Sequence, residues 1–292
     1  MEKNIFKFGN SSLALIVPKR WTKKHGIKAG SSITVSEDGA GNLILSAKQS
    51  TETKAVKAIS RHTDPHLVWR WVGIYYRFGF KKLEITSKDG FTPEQISALK
   101  DQIERYSPGF EVMNQTANVI TIEDLTEQKD IDLGKIMARM RSLVDESFRE
   151  LIDGEPEKME GTEALINRFY QLCLRYINII QPAGMLKYFR TTEAMEEIGD
   201  LLLDISHIDC SRSRPANSLL ARAREKFVLS EKAFGGDEDA IKQIYEFVEE
   251  LRGGRRGTVD KECRDLVEEI SKYINYIAEF GLTVESKIEE GL

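Results

Sequence analysis

Cysteines, long apolar runs and targeting features are all scarce in this 292-residue sequence. The three cysteines (Cys173, Cys210 and Cys263) are too scattered for a disulfide framework or a Cys-x-x-Cys metal site. No apolar run approaches the roughly 18–20 residues that a membrane span needs, and the first residues lack the apolar core of a signal peptide. These absences predict a reduced, cytoplasmic protein that does not span a membrane.

Motifs of catalysis are missing as well. The sequence contains no glycine-rich phosphate loop and no nucleotide fingerprint, and no nucleophile and base stand in a recognisable arrangement. His62 and His66 have the spacing of two metal ligands on a helix, but Pro65 between them disfavours helical backbone before it. We therefore expect that the protein is not an enzyme.

Charge is divided unevenly along the chain. The hydrophobic content of 41% and charged content of 30% are typical of globular domains, and the length indicates two or three of them. The whole chain carries a net charge of −5, yet residues 1–50 hold eight Lys or Arg against three acids, a net of +5 that leaves −10 for the rest. A basic head on an acidic body is expected for a DNA reader joined to a regulatory part.

The stretch Lys7–Val35 combines several turn and strand features within the basic head. Leu13–Val17 is short and ends in β-branched residues, so it predicts a strand that Pro18 terminates. A short basic helix then covers Arg20–His25, and Gly26 closes it. The runs Ile33–Val35 and Leu43–Leu45, separated by a glycine-rich turn, predict a β-hairpin.

This head resembles the AbrB/MazE/SpoVT family of swapped-hairpin DNA-binding domains. The resemblance lies in Ser12–Val17, Pro18–Trp21, Gly26–Gly30 and the hairpin that ends in Leu43–Leu45, although Ser31 stands where the family often has an acid. It implies a homodimer with interlocked hairpins, because so small a β-unit cannot bury its apolar strands alone. The implied DNA contacts are Lys7, Asn10, Lys19, Arg20, Lys23 and Lys24.

A small α/β module is predicted between head and body. Residues 51–63 are expected to form a linker, and 64–126 the module. The aromatic-rich run from His66 predicts a buried helix that ends at Gly79. The predicted elements after it are a strand over Lys82–Thr86, a helix opened by the Thr92–Gln95 capping box, and strands over Glu111–Thr116 and Asn118–Glu123.

Long amphipathic helices fill the remainder of the chain. They are predicted near 131–152, 159–181, 188–208, 215–233, 238–252 and 258–290, with short breaks between them. The short connections predict two antiparallel three-helix bundles placed end to end, at 130–210 and 213–292. The expected fold class is therefore multidomain α+β, with a β head, a small α/β module and an all-α body.

One helix of the body has an acidic face. Glu196, Asp200 and Asp204 follow one another at four-residue intervals, and no Lys or Arg lies between residues 191 and 209. Each like-charge pair at this spacing costs on the order of 0.2–0.5 kcal/mol. A cation, a basic partner helix, or water and salt would have to compensate.

The run from Glu196 to Asp200 resembles the E-x-x-x-D motif of PhoU, a phosphate-uptake regulator built of two three-helix bundles. The resemblance implies a divalent or iron-type metal ion at Glu196, Asp200 and Asp204. The facing motif falls on Glu163 and Asn167, where an amide replaces an acid, and the last helix offers Asp265 and Glu269, with Tyr273 where a further ligand is wanted. We therefore expect Arg168 and Arg175 to neutralise the acidic face by ion pairs rather than a multinuclear metal site to form.

Three functional hypotheses follow from the two resemblances. The first is a DNA-binding transcriptional regulator of phosphate uptake, in which the PhoU-like body senses or relays a signal. The alternative is a signalling adaptor whose body binds a phosphate transporter or a sensor protein, while the head mainly dimerises. The third is an antitoxin, which we rank last because the body is too long and too regularly patterned for a disordered toxin-wrapping tail.

Overall fold

The computed structural model divides the chain into two units, residues 1–52 and 53–292. The first unit extends slightly beyond the predicted head boundary at residue 50. The residues that the structure describes are 4–9, 12–37, 43–47, 54–126, 132–182, 184–208, 213–253 and 259–283.

The first unit, the head, consists of two β-hairpins separated in sequence by one short helix. Strands β1 and β2 pair antiparallel, as do β3 and β4. The helix ends before Gly26, whose φ of 64° suits a residue without a Cβ. The predicted strand, helix and hairpin are thus confirmed. The bounds are β1 Ile5–Phe8, β2 Ser12–Leu15, α1 Lys19–Lys24, β3 Ile33–Glu37 and β4 Leu43–Ala47.

A four-stranded sheet with two helices begins the second unit. The strand order is β5-β6-β8-β7, and β5 is parallel to β6, so α2 is the crossover that joins them. The other two pairings are antiparallel. A π-helical turn follows α3 at Gln102–Tyr106. The bounds are β5 Lys54–Ile59, α2 Pro65–Arg77, β6 Lys82–Ser87, α3 Pro93–Asp101, β7 Phe110–Gln115 and β8 Val119–Asp124.

The prediction that residues 51–63 form a linker is wrong for the stretch that forms β5. This strand turns the small Ala55 toward the core, exposes Val56 and buries Ile59 only partly. Its pairing partner β6 begins more than twenty residues further along the chain. The local composition of this segment is therefore typical of a loop, and the segment forms a strand because it pairs with β6.

The starts of α2 and α3 are fixed by side-chain caps. Asp64 Oδ1 accepts a hydrogen bond from the backbone N–H of His66, and Pro65 occupies the first helical position. The predicted capping box is confirmed, since Thr92 and Gln95 bond each other's backbone N–H. The two helices cover one face of the sheet and bury its inward-facing apolar residues. These include Leu83, Ile85, Phe110, Ile120 and Ile122.

Six α-helices form the rest of the described chain. Three of their ends differ from prediction by three residues or more. Helix α6 begins at Met185 rather than near 188, and α9 begins at Lys261 rather than near 258 and ends at Glu279 rather than near 290. A 3-10 turn over Phe280–Thr283 follows α9, and the remaining predicted part of that helix lies outside the described residues. The bounds are α4 Leu133–Asp153, α5 Met159–Ile180, α6 Met185–His207, α7 Arg214–Phe234, α8 Glu238–Gly253 and α9 Lys261–Glu279.

The helices pack as two sets of three that share one core. Helices α4, α5 and α6 contact one another, as do α7, α8 and α9. Contacts of α6 with α9 and of α4 with α7 join the sets side by side, so the end-to-end arrangement is wrong. Phe148 of α4 lies against Phe227 of α7 in this shared core, with ring centroids 5.8 Å apart. No helix among the described residues is both long and apolar enough to cross a membrane.

Gly79 lies where α2 meets α5. Its φ is 79°, and a Cβ placed there would lie 2.7 Å from Ile179 Cγ1. We expect Gly79→Ala to lower the free energy of unfolding by at least about 1–2 kcal/mol, because the left-handed backbone alone costs that much for alanine. Gly154→Ala is the control, since its φ is 77° and no heavy atom lies within 4 Å of the added Cβ. Urea unfolding that gave equal losses for both variants would exclude a contribution from the Ile179 contact.

Candidate nucleic-acid interface

Helix α1 presents four cations on one side. Lys19 and Lys23 are four residues apart, as are Arg20 and Lys24, and all four side chains are exposed. Pro18 directly precedes the helix, and its backbone oxygen accepts a hydrogen bond from the N–H of Trp21 at 2.9 Å. Like charges at this spacing repel one another. A polyanionic partner would offset this repulsion, so the arrangement favours binding to such a partner.

The other predicted DNA contacts lie on the first hairpin. Lys7 is exposed in β1, opposite Leu13 of β2. Asn10 falls outside the described residues. The structure therefore brings together the four cations of α1, while the contribution of the turn between β1 and β2 stays a prediction.

Ser31 forms two hydrogen bonds within the turn that precedes β3. Its Oγ accepts a hydrogen bond from the backbone N–H of Lys28 at 3.0 Å, and its own N–H donates to the Lys28 oxygen. Gly30 between them has a φ of 85°. The serine thus preserves the turn that leads from α1 to β3.

Apolar side chains of the head are open to solvent. Both faces of the first hairpin are uncovered, since neighbouring strand residues point to opposite sides and Ile5 and Phe6 are both exposed. Leu13 is 73% exposed and Phe8 71%. Among the head side chains whose exposure the structure describes, none is buried. The exposed set is Ile5, Phe6, Phe8, Leu13, Leu15, Ile16, Val35 and Leu43.

A family comparison agrees with this geometry. Residues 7–53 match the family model MazE_antitoxin, described as antidote-toxin recognition MazE, bacterial antitoxin. The head is MazE-like. The predicted resemblance of the head to swapped-hairpin domains is thereby supported, and the match covers the MazE-like head alone. Neither a curated protein nor a solved structure matches the chain.

The acidic face of α6 meets Glu163 of α5. Burial, followed by the charge of Asp200 and a hydrogen bond with it, raises the pKa of Glu163 to about 7. Burial, followed by the charges of Asp200 and Glu197, raises the pKa of Glu196 to about 8. Asn167 Nδ2 also donates a hydrogen bond to Glu163 Oε1. Protonation of these carboxyl groups and the hydrogen bond from the Asn167 amide therefore offset part of the charge repulsion on the acidic face.

The expected neutralisation of this face by Arg175 is wrong. Arg175 pairs instead with Asp124 of β8, with 2.6 Å between Nη2 and Oδ2. Arg168, two turns earlier on α5, is exposed. Helical spacing alone does not determine which neighbour the Arg175 side chain contacts. Its position within the apolar run from Cys173 to Ile177 was the available indication of burial.

A metal site has no support in this geometry. In the part of the chain that the structure describes, no three His, Cys, Asp or Glu side chains are grouped closely enough to hold a metal ion. The Asp204 side chain, four residues after Asp200 on α6, is exposed. Cys210, which follows α6 in the sequence, lies outside the described residues. Metal binding at Glu196, Asp200 and Asp204 therefore stays a prediction.

Residues of α9 lie next to the acidic face of α6, and their contacts could not be predicted from the sequence. The Tyr273 side chain lies within hydrogen-bonding reach of Glu197, and burial together with the charges of Glu197 and Glu269 raises its pKa. Lys272 pairs with Glu269 at 2.8 Å. The predicted ligand Asp265 is exposed. The α9 side therefore contributes a tyrosine and an ion pair to this surface.

Protonation of the acidic face predicts a pH-dependent stability. Because the folded chain raises the pKa of Glu163 and Glu196 above the ordinary carboxyl value of 4.5, it holds more protons than the unfolded chain up to about pH 8. The contribution of this extra protonation to the free energy of unfolding is fully present below pH 4.5 and is lost as the pH rises toward 8. We expect Glu163→Gln/Glu196→Gln to raise the Tm at about pH 8.5 by a few degrees, and much less at about pH 5.

Thermal unfolding followed by circular dichroism at both pH values measures this effect. Glu160→Gln, an exposed change in the first turn of α5, is the matched control. Equal Tm shifts at the two pH values would contradict the protonated arrangement.

Proposed function

We propose that this protein is a DNA-binding transcriptional regulator whose MazE-like head contacts DNA. The observation that carries the proposal is the row of four exposed cations on α1, placed on a domain that matches the MazE family. Lys19, Arg20, Lys23 and Lys24 neutralise phosphates, with Lys7 and Asn10 of the first hairpin beside them.

The head binds DNA as a homodimer. Its strands expose apolar side chains on both faces, and a two-stranded hairpin is at best marginally stable alone in water. A second copy with interlocked hairpins covers these faces and doubles the number of cations along the duplex. Sedimentation velocity of the full chain tests this point, and a monomer at micromolar concentration would contradict it.

The helical body relays a signal connected with phosphate uptake. Support comes from the resemblance of Glu196 and Asp200 to the PhoU motif and from Glu163 opposite them on α5. Chromatin immunoprecipitation in high and low phosphate tests this part of the proposal. Occupancy that changes with phosphate is expected, and occupancy that ignores phosphate would leave a DNA-binding regulator of another pathway. Co-purification of a phosphate-transport protein without DNA enrichment would favour the adaptor alternative.

An antitoxin is the second candidate, because the matching family is described as a bacterial antitoxin. A toxin-wrapping segment is expected to fold only on its toxin, whereas the body of this chain already buries Phe148, Met195, Phe227 and Ile274 in one core. Co-expression with genes adjacent to its own tests this candidate. Rescue of growth from a toxic neighbour would favour the antitoxin, and the regulator predicts no such rescue.

A further inference from the structure

Strand β5 forms one edge of the four-stranded sheet. It pairs with β6 on one side, and among the described residues no backbone group bonds to its other side. Val56 and Ala58 are exposed on the sheet face opposite the one that α2 and α3 cover, and Val56 is 58% exposed. An edge of this kind presents a row of backbone N–H and C=O groups that can pair with a further strand.

The two lysines of β5 are held within their own unit. Lysines on an edge strand usually discourage pairing with another strand. Here Lys54 Nζ lies 2.9 Å from Glu84 Oε2 on β6, and Lys57 Nζ lies 3.7 Å from the centre of the Trp71 ring on α2. A further strand can therefore approach this edge without meeting a cation that lacks a partner.

The opposite edge of the sheet, β7, is less suited to pairing. Its register with β8 shifts between Val112 and Asn114, and an irregularity of this kind bends a strand and protects an edge. A contact between β5 of one copy and β7 of another would also be head-to-tail, so it would leave edges free for more copies. Contact between two β5 edges across a twofold axis closes the assembly at two chains.

We propose that β5 pairs antiparallel with β5 of a second copy, so that the two sheets become one sheet of eight strands. Side chains directly opposite each other in such a pair lie on the same face, so the twofold axis passes through a residue of β5. In a strand that spans Lys54–Ile59, axes at Val56 and at Lys57 pair the most residues, 54–58 and 55–59 respectively. The choice lies between these two registers.

Charge favours the axis at Val56. This axis places Lys54 opposite Ala58 of the second copy and the two exposed valines opposite each other. It also places Lys57 opposite Ala55, so no like charges face each other. An axis at Lys57 would set two lysines directly opposite each other, which is unfavourable.

The second copy is the occupant that the chain itself supplies, and this step rests on the proposed homodimer of the head. Strand β4 ends at Ala47 and β5 begins at Lys54, so six residues connect them. Six residues span at most about 22 Å when fully extended. Two β5 strands of one head dimer are thus confined to a small volume, where a tether this short gives an effective concentration on the order of millimolar. Even weak edge pairing is then sufficient.

Disulfide cross-linking of the full chain tests the register. Val56→Cys places two cysteines opposite each other with Cα atoms about 4.5–5.5 Å apart, within reach of a disulfide. Ala58→Cys, on the same face of the same strand, is the matched control, because its two cysteines would lie roughly 14 Å apart. On non-reducing gels after mild oxidation, Val56→Cys is expected to give at least about tenfold more covalent dimer than Ala58→Cys. The unaltered chain, in which Cys173 and Cys263 are buried, gives the background.

A charge placed at the axis gives a second test. Val56→Lys sets two lysines opposite each other and is expected to raise the dimer dissociation constant at least about tenfold in sedimentation velocity. Val228→Lys, which places the same charge at an exposed apolar position of α7, is the control and is expected to leave the constant unchanged. Equal constants for the two variants would overturn the pairing of β5.

The remaining outcomes separate the strand edge from the head. A monomer of the unaltered chain at micromolar concentration would overturn both the head dimer and the β5 pairing. A dimer in which Val56→Cys stays reduced, or cross-links no more than Ala58→Cys, would overturn the β5 pairing and leave the head dimer in place. The edge would then be open to a strand of another protein.

Discussion

Replacing Arg175 with alanine is expected to destabilise the second unit by about 3–5 kcal/mol. The Arg175 side chain is 1% exposed and pairs with the fully buried carboxylate of Asp124. Its Nη2 also donates to the backbone oxygen of Phe80, and its Nη1 to that of Tyr76. Alanine would leave the buried carboxylate with Lys81 alone as its cation. It would also remove the guanidinium donors from the backbone oxygens of Phe80 and Tyr76, of which Tyr76 keeps the Gly79 N–H.

Further contacts make Arg175 the buried connection between α5 and the sheet. Its guanidinium lies 4.7 Å from the ring centroid of Tyr76 and 5.3 Å from that of Phe110. Burial alone would raise the pKa of Asp124, but hydrogen bonds from Thr126 and the charge of Arg175 hold it below its usual value. The carboxylate therefore stays charged and depends on its partners.

Urea unfolding followed by far-UV circular dichroism measures the loss. Arg168→Ala is the control, since this exposed arginine lies two turns earlier on the same helix, and we expect a change within about 0.5 kcal/mol. Arg175→Met/Asp124→Leu removes both charges and is expected to recover part of the stability. A loss below about 1 kcal/mol for Arg175→Ala would show that the pair is not the connection described here.

Removing two cations from α1 is expected to have the largest effect on DNA binding. Lys19→Ala/Lys23→Ala deletes four positive charges per dimer from one surface, and affinity for mixed-sequence duplex DNA should fall on the order of a hundredfold at moderate salt. The helix contains no buried residue, so the head is expected to keep its fold.

Fluorescence anisotropy with a labelled duplex measures this loss. Lys232→Ala/Lys242→Ala, at two exposed positions of the body, removes the same charge from the chain and is expected to leave affinity nearly unchanged. Equal effects of the two pairs would mean that net charge, rather than the α1 surface, governs binding.

Elements set by local chemistry could be predicted from the sequence, and those set by distant contacts could not. Pro18, Gly26 and the Thr92 capping box place turns and helix ends through their own backbone preferences. Strand β5, in contrast, exists because β6 pairs with it. The turn after α9 likewise involves a distant contact, since a Cβ on Gly281 would clash with the backbone oxygen of Ala233.

The candidate sites divide in the same way. The four cations of α1 are adjacent in sequence, so helical spacing alone brings them to one side. The resemblance to PhoU predicted Glu163 opposite the acidic face of α6, and the charge of Asp200 is one cause of the raised pKa of Glu163. Arg175 could not be placed, because Asp124 lies 51 residues away on a strand of the α/β module.

Salt dependence of DNA binding by the full chain tests the proposed role most directly. Association constants for a mixed-sequence duplex, measured over a range of potassium chloride concentrations, give a slope of log K against log salt. Each phosphate that the head neutralises adds about −0.9 to this slope, and Lys19→Ala/Lys23→Ala should make the slope shallower by about one for each phosphate that the variant no longer neutralises. Affinity that does not respond to salt, or a slope that the variant leaves unchanged, would contradict DNA binding through α1.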